Sequence, residues 1–104
     1  MAEWVAAADL TRCPPGNMLG VEVEGHPILL ANVDGDVYAV EDRCSHEDYP
    51  LSDGELEGTE VECIYHGARF DVCSGRATCL PAIRPVKTYE VDVRDGTIYV
   101  RLGD

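Results

Sequence analysis

Short stretches in which apolar residues alternate with polar ones, or form a brief apolar run, recur along the chain. The clearest of them are residues 21–24, 28–30, 37–40, 88–93 and 97–100. Asp-Gly pairs at positions 34–35 and 95–96 lie between neighbouring stretches, and this dipeptide favours the tight turn of a β-hairpin. No segment keeps the period of a long amphipathic helix. The pattern therefore predicts an all-β domain, arranged as a sandwich or a barrel.

The middle of the chain differs from the segments that flank it. Between about residues 42 and 82 lie four of the five cysteines, two of the three histidines and many turn residues. We interpret residues 1–104 as a single β domain with a loop-built insert over that stretch, and loops on a rigid scaffold commonly carry function. The Ala-rich segment 4–10 is compatible with a short helix or with an edge strand.

Negative charge dominates the composition. Twenty acidic residues against eight basic ones give a formal net charge of −12. This balance argues against nucleic acid and anionic membrane surfaces as partners, because both attract basic patches. It suits docking on a positively charged partner, and it also serves solubility. No apolar run approaches the roughly 20 residues of a membrane helix, and the N-terminal residues do not resemble a signal peptide, so we expect a cytoplasmic protein.

Two short motifs carry the candidate chemistry. Cys44 and His46 form a Cys-x-His motif, and Cys63 and His66 form a Cys-x-x-His motif sixteen residues further on. A thiolate stabilises ferric iron bridged by sulfide, whereas a neutral imidazole leaves its iron easier to reduce. Two loops that each supply one thiolate and one imidazole can clamp an asymmetric two-iron cluster, with the cysteines on one iron and the histidines on the other.

The same residue types also occur in other kinds of site. A structural zinc site also uses two cysteines and two histidines, but its usual order is Cys-x₂₋₄-Cys followed by His-x₃₋₅-His. A catalytic Cys–His pair needs one residue of each type and leaves the second pair without a role. The mixed motifs favour an iron–sulfur site, with a zinc-stabilised binding module as the alternative from a different functional class.

The motifs and their surroundings resemble the Rieske ferredoxin family. Cys44-x-His46 followed by Cys63-x-x-His66-Gly67 matches that family's signature, and residues 51–58 and 66–71 look like the ferredoxin components of bacterial aromatic-ring dioxygenases. The resemblance implies a Rieske-type fold of antiparallel sheets with a small cluster-binding subdomain. It also implies one [2Fe–2S] cluster on the four motif residues, and a third covering loop at residues 80–82.

The same resemblance implies the function and its partners. We expect a one-electron carrier, without catalytic residues of its own, that links an NAD(P)H-dependent flavoprotein reductase to a terminal oxygenase, as a monomer and without nucleic acid or membrane. The small subunit of another redox enzyme, such as an assimilatory nitrite reductase, is the alternative. High-potential Rieske proteins carry two disulfide-bonded cysteines where this chain has Tyr49 and Tyr65. They also carry a serine and a tyrosine, whose hydroxyls bond to sulfur, where this chain has Ala68 and Phe70. Missing hydrogen bonds from such hydroxyls indicate a low potential.

The remaining cysteines and the third histidine lie outside the motifs. Five cysteines are an odd number, which fits a disulfide framework poorly, and we interpret Cys13, Cys73 and Cys79 as spare thiols. A bond between Cys73 and Cys79 is disfavoured in a reducing cytosol. His26 is expected to be a surface turn residue.

Overall fold

Ten β-strands form two antiparallel sheets in a computed structural model, which describes residues 3–43, 50–63, 67–79 and 85–102. The larger sheet has six strands in the order β1-β10-β9-β4-β3-β2. Its strands are β1 (Glu3–Asp9), β2 (Met18–Val23), β3 (His26–Val33), β4 (Asp36–Glu41), β9 (Thr88–Arg94) and β10 (Thr97–Leu102). The prediction of an all-β fold with antiparallel sheets is therefore confirmed.

Three two-residue turns join neighbouring strands of this sheet. They are Glu24-Gly25, Asp34-Gly35 and Asp95-Gly96, and all six residues have positive φ. This geometry defines the turn whose twist matches that of the flanking strands. The two Asp-Gly turns stand where the sequence predicts them. The Glu24-Gly25 turn places His26 at the first position of β3 instead of within the turn, although its side chain is exposed as expected.

The N-terminal segment forms a strand and not a helix. Strand β1 pairs with β10 at the edge of the six-stranded sheet, with a register shift between Ala6 and Ala8. A short 3-10 helix, Leu10–Arg12, follows it. Of the two alternatives that the Ala-rich sequence left open, tertiary pairing selects the edge strand. No helix in the described ranges is long and apolar enough to cross a membrane.

Strand β3 is buried on both faces and separates two hydrophobic cores. Ile28 and Leu30 pack into a core that also contains residues of β2, β4 and β10, whereas Leu29 and Ala31 point to the opposite face. All four side chains are fully buried. This explains why the segment is a continuous apolar run, since a strand with one solvated face would alternate.

The second core lies between the two sheets. The smaller sheet has four strands of three residues each: β5 (Glu55–Glu57), β6 (Glu60–Glu62), β7 (Arg69–Asp71) and β8 (Ala77–Cys79). Val61 and Phe70, at the centres of β6 and β7, pack with Leu29 and Val40 of the large sheet. The stretch predicted to be loop-built therefore contains a sheet of its own, which lies between β4 and β9 in the chain. The division of the chain into a β base domain and a cluster-binding subdomain, at about residues 42–82, stays a prediction.

Candidate metal centre

Cys63 lies directly after β6 and is 1% exposed. It belongs to the core between the sheets, together with Val61, Ala68 and Phe70. An ionised thiolate in such an apolar environment is costly unless a positive charge compensates it. Bound iron supplies that charge, and a thiolate is a ligand that iron–sulfur clusters use. The position and chemistry of Cys63 therefore fit a cluster ligand.

A tight backbone turn fixes Cys63 at both of its peptide groups. The Cys63 N–H donates to the Ala68 carbonyl at 2.7 Å, and the Gly67 N–H donates to the Cys63 carbonyl at 3.0 Å. Gly67 has a φ of +74°, a conformation that residues with a Cβ resist. The two bonds hold the backbone at Cys63 and Gly67, on either side of residues 64–66.

The other predicted ligands cannot be placed geometrically. Cys44, His46 and His66 lie outside the described residues, and so do Tyr49, Tyr65 and the third loop at residues 80–82. Within the ranges that are described, no group of three or more His, Cys, Asp and Glu side chains could hold a metal ion. The four-residue ligand set stays a prediction. Of these four residues, the structure describes only Cys63 and its surroundings.

The third predicted loop is attached to fixed backbone on both sides. Strand β8 precedes it, and Val86, which follows it, donates its N–H to the Gly75 carbonyl at 2.8 Å. Gly75 in turn donates to the Asp71 carbonyl at 2.7 Å. A Cβ on Gly75 would overlap the Val86 carbonyl oxygen, so this approach requires glycine. Residues 80–84 thus connect β8 to Val86, and hydrogen bonds hold both of these segments in place.

Carboxylates face one another across the outer side of the smaller sheet. Glu55 stands opposite Glu62, and Glu57 opposite Glu60. Like charges in directly opposed positions destabilise a sheet. Arg69 offsets part of this repulsion, with Nη1 at 3.0 Å from Glu57 and at 3.3 Å from Glu60. These hydrogen bonds raise the pKa of the Arg69 guanidinium. The surface next to Cys63 is therefore negative, with a guanidinium at its centre.

The cysteines outside the motifs occupy contrasting environments. Cys13 is fully buried, and its Sγ lies 3.7 Å from the Leu30 carbonyl oxygen as a weak donor. Burial raises the pKa of the Cys13 thiol. Cys73 is exposed and forms no disulfide. The side chain of Cys79 is outside the described set, so its interpretation as a spare thiol stays a prediction.

This contrast predicts selective alkylation. Because the thiolate is the reacting species, N-ethylmaleimide at pH 8 should modify Cys73 rapidly, while Cys13 reacts only after unfolding. Mass spectrometry of the cluster-loaded protein in a Cys79→Ser background provides the measurement. The added Cys73→Ser change should remove the rapid phase. Rapid modification of Cys13 in the folded protein would contradict the burial.

Two polar groups beside the candidate site were missed by sequence reasoning. Asp42 lies between the charged residues Glu41 and Arg43, and Arg69 lies between Ala68 and Phe70. The partners of both become neighbours only through strand pairing or a turn. One feature of the sequence could have drawn attention to Asp42, namely its position just after a predicted strand and two residues before Cys44. It indicates where a loop begins but not what the carboxylate binds.

Comparison with known proteins identifies the family. The family model described as Rieske [2Fe-2S] domain matches residues 3–90. The ferredoxin component of a naphthalene 1,2-dioxygenase system from Pseudomonas aeruginosa is 43% identical over 101 residues, which is 97% of each chain. The solved ferredoxin of carbazole 1,9a-dioxygenase from Nocardioides aromaticivorans IC177 superposes with a TM-score of 0.89 at 34% identity, over 93% of this chain and 95% of that chain.

A second solved structure is a complex of reduced oxygenase and oxidized ferredoxin in carbazole 1,9a-dioxygenase. The chain matches it with a TM-score of 0.88 at 35% identity, over 93% of this chain and 91% of that chain. Proteins named as ferredoxin components are electron-transfer subunits and not the catalytic subunits of their systems. The chain therefore belongs to the Rieske [2Fe-2S] domain family, carries a [2Fe–2S] cluster of that type, and serves electron transfer instead of catalysing a reaction itself.

Proposed function

We propose that this chain is the electron-transfer component of a cytoplasmic, multicomponent oxygenase system. It takes single electrons from an NAD(P)H-dependent flavoprotein reductase and delivers them to a terminal oxygenase. The similarity to dioxygenase ferredoxin components along almost the whole chain carries the proposal. The solved complex of an oxygenase with a similar ferredoxin supports the oxygenase as partner. The same relatives favour this role over that of a nitrite reductase subunit.

We further propose Cys44, His46, Cys63 and His66 as the cluster ligands. When bound, the [2Fe–2S] cluster supplies a site that accepts and releases one electron. The chain's own part is to hold that site rigid and partly dry. Cys63 has fixed peptide groups and apolar neighbours, so its thiolate moves little when the charge of the site changes. A small rearrangement on reduction favours rapid electron transfer.

Two described neighbours of Cys63, Ala68 and Phe70, lack a hydroxyl, and this supports a low potential. Ala68 and Phe70 are both fully buried and follow the Cys63 turn, and neither can donate a hydrogen bond from its side chain. Hydrogen bonds to cluster sulfur stabilise the reduced state, so their absence favours the oxidised one. A low potential suits a carrier that passes its electron onward to an oxygenase.

A stopped-flow experiment tests the electron-carrier function. The cluster-loaded protein, reduced with dithionite and desalted without oxygen, is mixed with the oxidised cognate terminal oxygenase. We expect one electron to leave each protein molecule, and we expect the second-order rate to fall as salt rises, because the chain has a net charge of −12. The protein alone should convert no aromatic substrate. Failure to reduce any oxygenase, with an intact Rieske spectrum, would contradict the proposal.

A further inference from the structure

One carboxylate joins the two ends of the segment that carries Cys44 and His46. Asp42 follows β4, and Ser52 lies ten positions later in the 3-10 helix Leu51–Asp53. The Ser52 N–H donates to Asp42 Oδ1 at 2.7 Å, and the Ser52 hydroxyl donates to Asp42 Oδ2 at 2.7 Å. Both oxygens of the carboxylate thus bind one residue. This two-point contact, which we call the Asp42–Ser52 clamp, sets the distance and the relative orientation of the two ends.

The clamp is fixed to the large sheet on one side. The Asp42 N–H donates to the Pro27 carbonyl at 3.0 Å, and the preceding Glu41 N–H donates to the Lys87 carbonyl at 2.8 Å. Pro27 belongs to β3, and Lys87 directly precedes β9. The backbone at Glu41 and Asp42 is therefore held by hydrogen bonds to the backbone of the large sheet and of the residue that precedes β9.

On its other side the clamp is continuous with the core that contains Cys63. Leu51, next to Ser52, is fully buried and packs in the same hydrophobic core as Cys63 and Phe70. The Gly54 N–H closes the 3-10 helix by donating to the Leu51 carbonyl at 2.9 Å. The clamp therefore links the large sheet, the beginning and end of residues 43–50, and the core around Cys63 through short rigid connections.

The backbone of β2 covers the clamp at Gly20. A Cβ on Gly20 would lie 2.6 Å from Ser52 Oγ and 2.8 Å from Asp42 Oδ2, closer than packed atoms approach. Only glycine leaves room for the pair at this position. Since Asp42 and Ser52 are half-buried, the hydrogen bonds of the carboxylate are stronger than they would be in full solvent.

We propose that the Asp42–Ser52 clamp is a positioning element for the cluster, which sets where Cys44 and His46 stand relative to Cys63. The inference rests on the proposed ligand set, in which Cys44 comes two residues after Asp42. Ligand constellations function only when surrounding groups hold them within about 0.5 Å of the required geometry. The clamp also fixes the chain at positions 42 and 52, on both sides of the two proposed ligands, which lowers the entropy lost when they bind. Neither residue touches the cluster in this role.

Four variants of the cluster-loaded protein test the proposal. Asp42→Ala removes both hydrogen bonds, and Gly20→Ala separates the pair by steric contact without changing a polar group. Asp42→Asn is the conservative variant, because its amide oxygen accepts from the Ser52 N–H and its amide N–H donates to the Ser52 oxygen. Asp53→Asn is the matched control, since it removes one negative charge from an exposed residue of the same 3-10 helix.

Two measurements apply to each variant: the EPR g-values of the reduced cluster and the rate of cluster loss to a chelator. We expect Asp42→Ala and Gly20→Ala to shift the g-values and to lose the cluster about tenfold faster, the factor that corresponds to removing charged hydrogen bonds. Asp42→Asn should recover most of both properties, and Asp53→Asn should match the wild type. Unchanged g-values in Asp42→Ala and Gly20→Ala would overturn the proposal even if the cluster were lost faster, because that combination indicates general destabilisation alone.

A fifth variant separates this proposal from the ligand assignment on which it rests. Cys44→Ser changes a proposed ligand and leaves the clamp intact, so it should lose the Rieske spectrum. Retention of the spectrum in Cys44→Ser would overturn the ligand set and the clamp proposal together. Loss in Cys44→Ser with wild-type g-values in the clamp variants would overturn the clamp alone.

Discussion

Replacing Cys63 by serine is expected to abolish the visible absorption and the reduced-state EPR signal of the cluster. Serine has nearly the same size, so the turn closed by Ala68 and Gly67 should persist, but a hydroxyl is a far poorer ligand for iron than a thiolate. Cys63 is 1% exposed, and the other buried side chains of its core are apolar and cannot compensate for the lost thiolate. Iron and acid-labile sulfide, measured on the purified variant, should fall from equal amounts to near zero.

The control for this experiment is Cys73→Ser. Cys73 is exposed and forms no disulfide, so this variant should retain wild-type iron, sulfide and spectra. Far-UV circular dichroism of both variants should show the β-sheet content of the parent. A full cluster in Cys63→Ser, or a lost cluster in Cys73→Ser, would show that the cysteines have been assigned to the wrong roles.

Truncating Phe70 to alanine should destabilise the fold by about 3–5 kcal/mol, the usual cost of removing a fully buried aromatic side chain. Phe70 is the largest fully buried residue in the described part of the chain and lies at the centre of β7, within the core between the sheets. The total stability of small domains is roughly 5–15 kcal/mol, so this loss is a large part of it. Urea unfolding followed by circular dichroism gives the free energy of unfolding, with and without cluster.

Two further variants make the Phe70 result specific. Phe70→Leu retains most of the apolar volume and should lose clearly less stability than Phe70→Ala. Val93→Ala truncates an apolar residue that is 39% exposed and should stay within about 1 kcal/mol of the wild type. If Phe70→Ala proved as stable as Val93→Ala, the core between the sheets would not contribute measurably to the stability of the fold.

The acidic stretch shows how one sequence pattern divides into separate structural roles. Nine acidic residues lie between positions 41 and 62, and the sequence allows them to be a solvated face or a docking surface. In the folded protein, Asp42 binds Ser52, and Glu57 and Glu60 bind Arg69. Several of these carboxylates therefore have local structural partners, while Glu55 remains on the exposed face. Sequence proximity does not distinguish these roles.

Local sequence predicted five of the six strands of the large sheet and two of its two-residue turns, and left the edge strand β1 open. Asp34-Gly35 and Asp95-Gly96 predict hairpins because both residues of such a turn need positive φ, which Asp and Gly adopt with little strain. The apolar run at residues 28–30 predicts a strand, and the structure shows that this strand, β3, is buried on both faces. The family and its cofactor could also be predicted from the sequence, since the Cys-x-His and Cys-x-x-His motifs are recognised by residue type and spacing alone.

The structure of the insert could be known only from tertiary contacts. Strands β5 to β8 have three residues each, too few for alternation to stand out. They gain stability from packing against Leu29 of β3 and Val40 of β4, in the large sheet. The Asp42–Ser52 clamp joins residues ten positions apart, and its fit against Gly20 requires a strand from elsewhere in the chain. Sequence thus predicted which residues bind iron, because ligand chemistry belongs to side chains. Only the tertiary structure decided how Cys63 is buried and how the ends of the first ligand segment are held, because both depend on contacts between strands that are remote in the sequence.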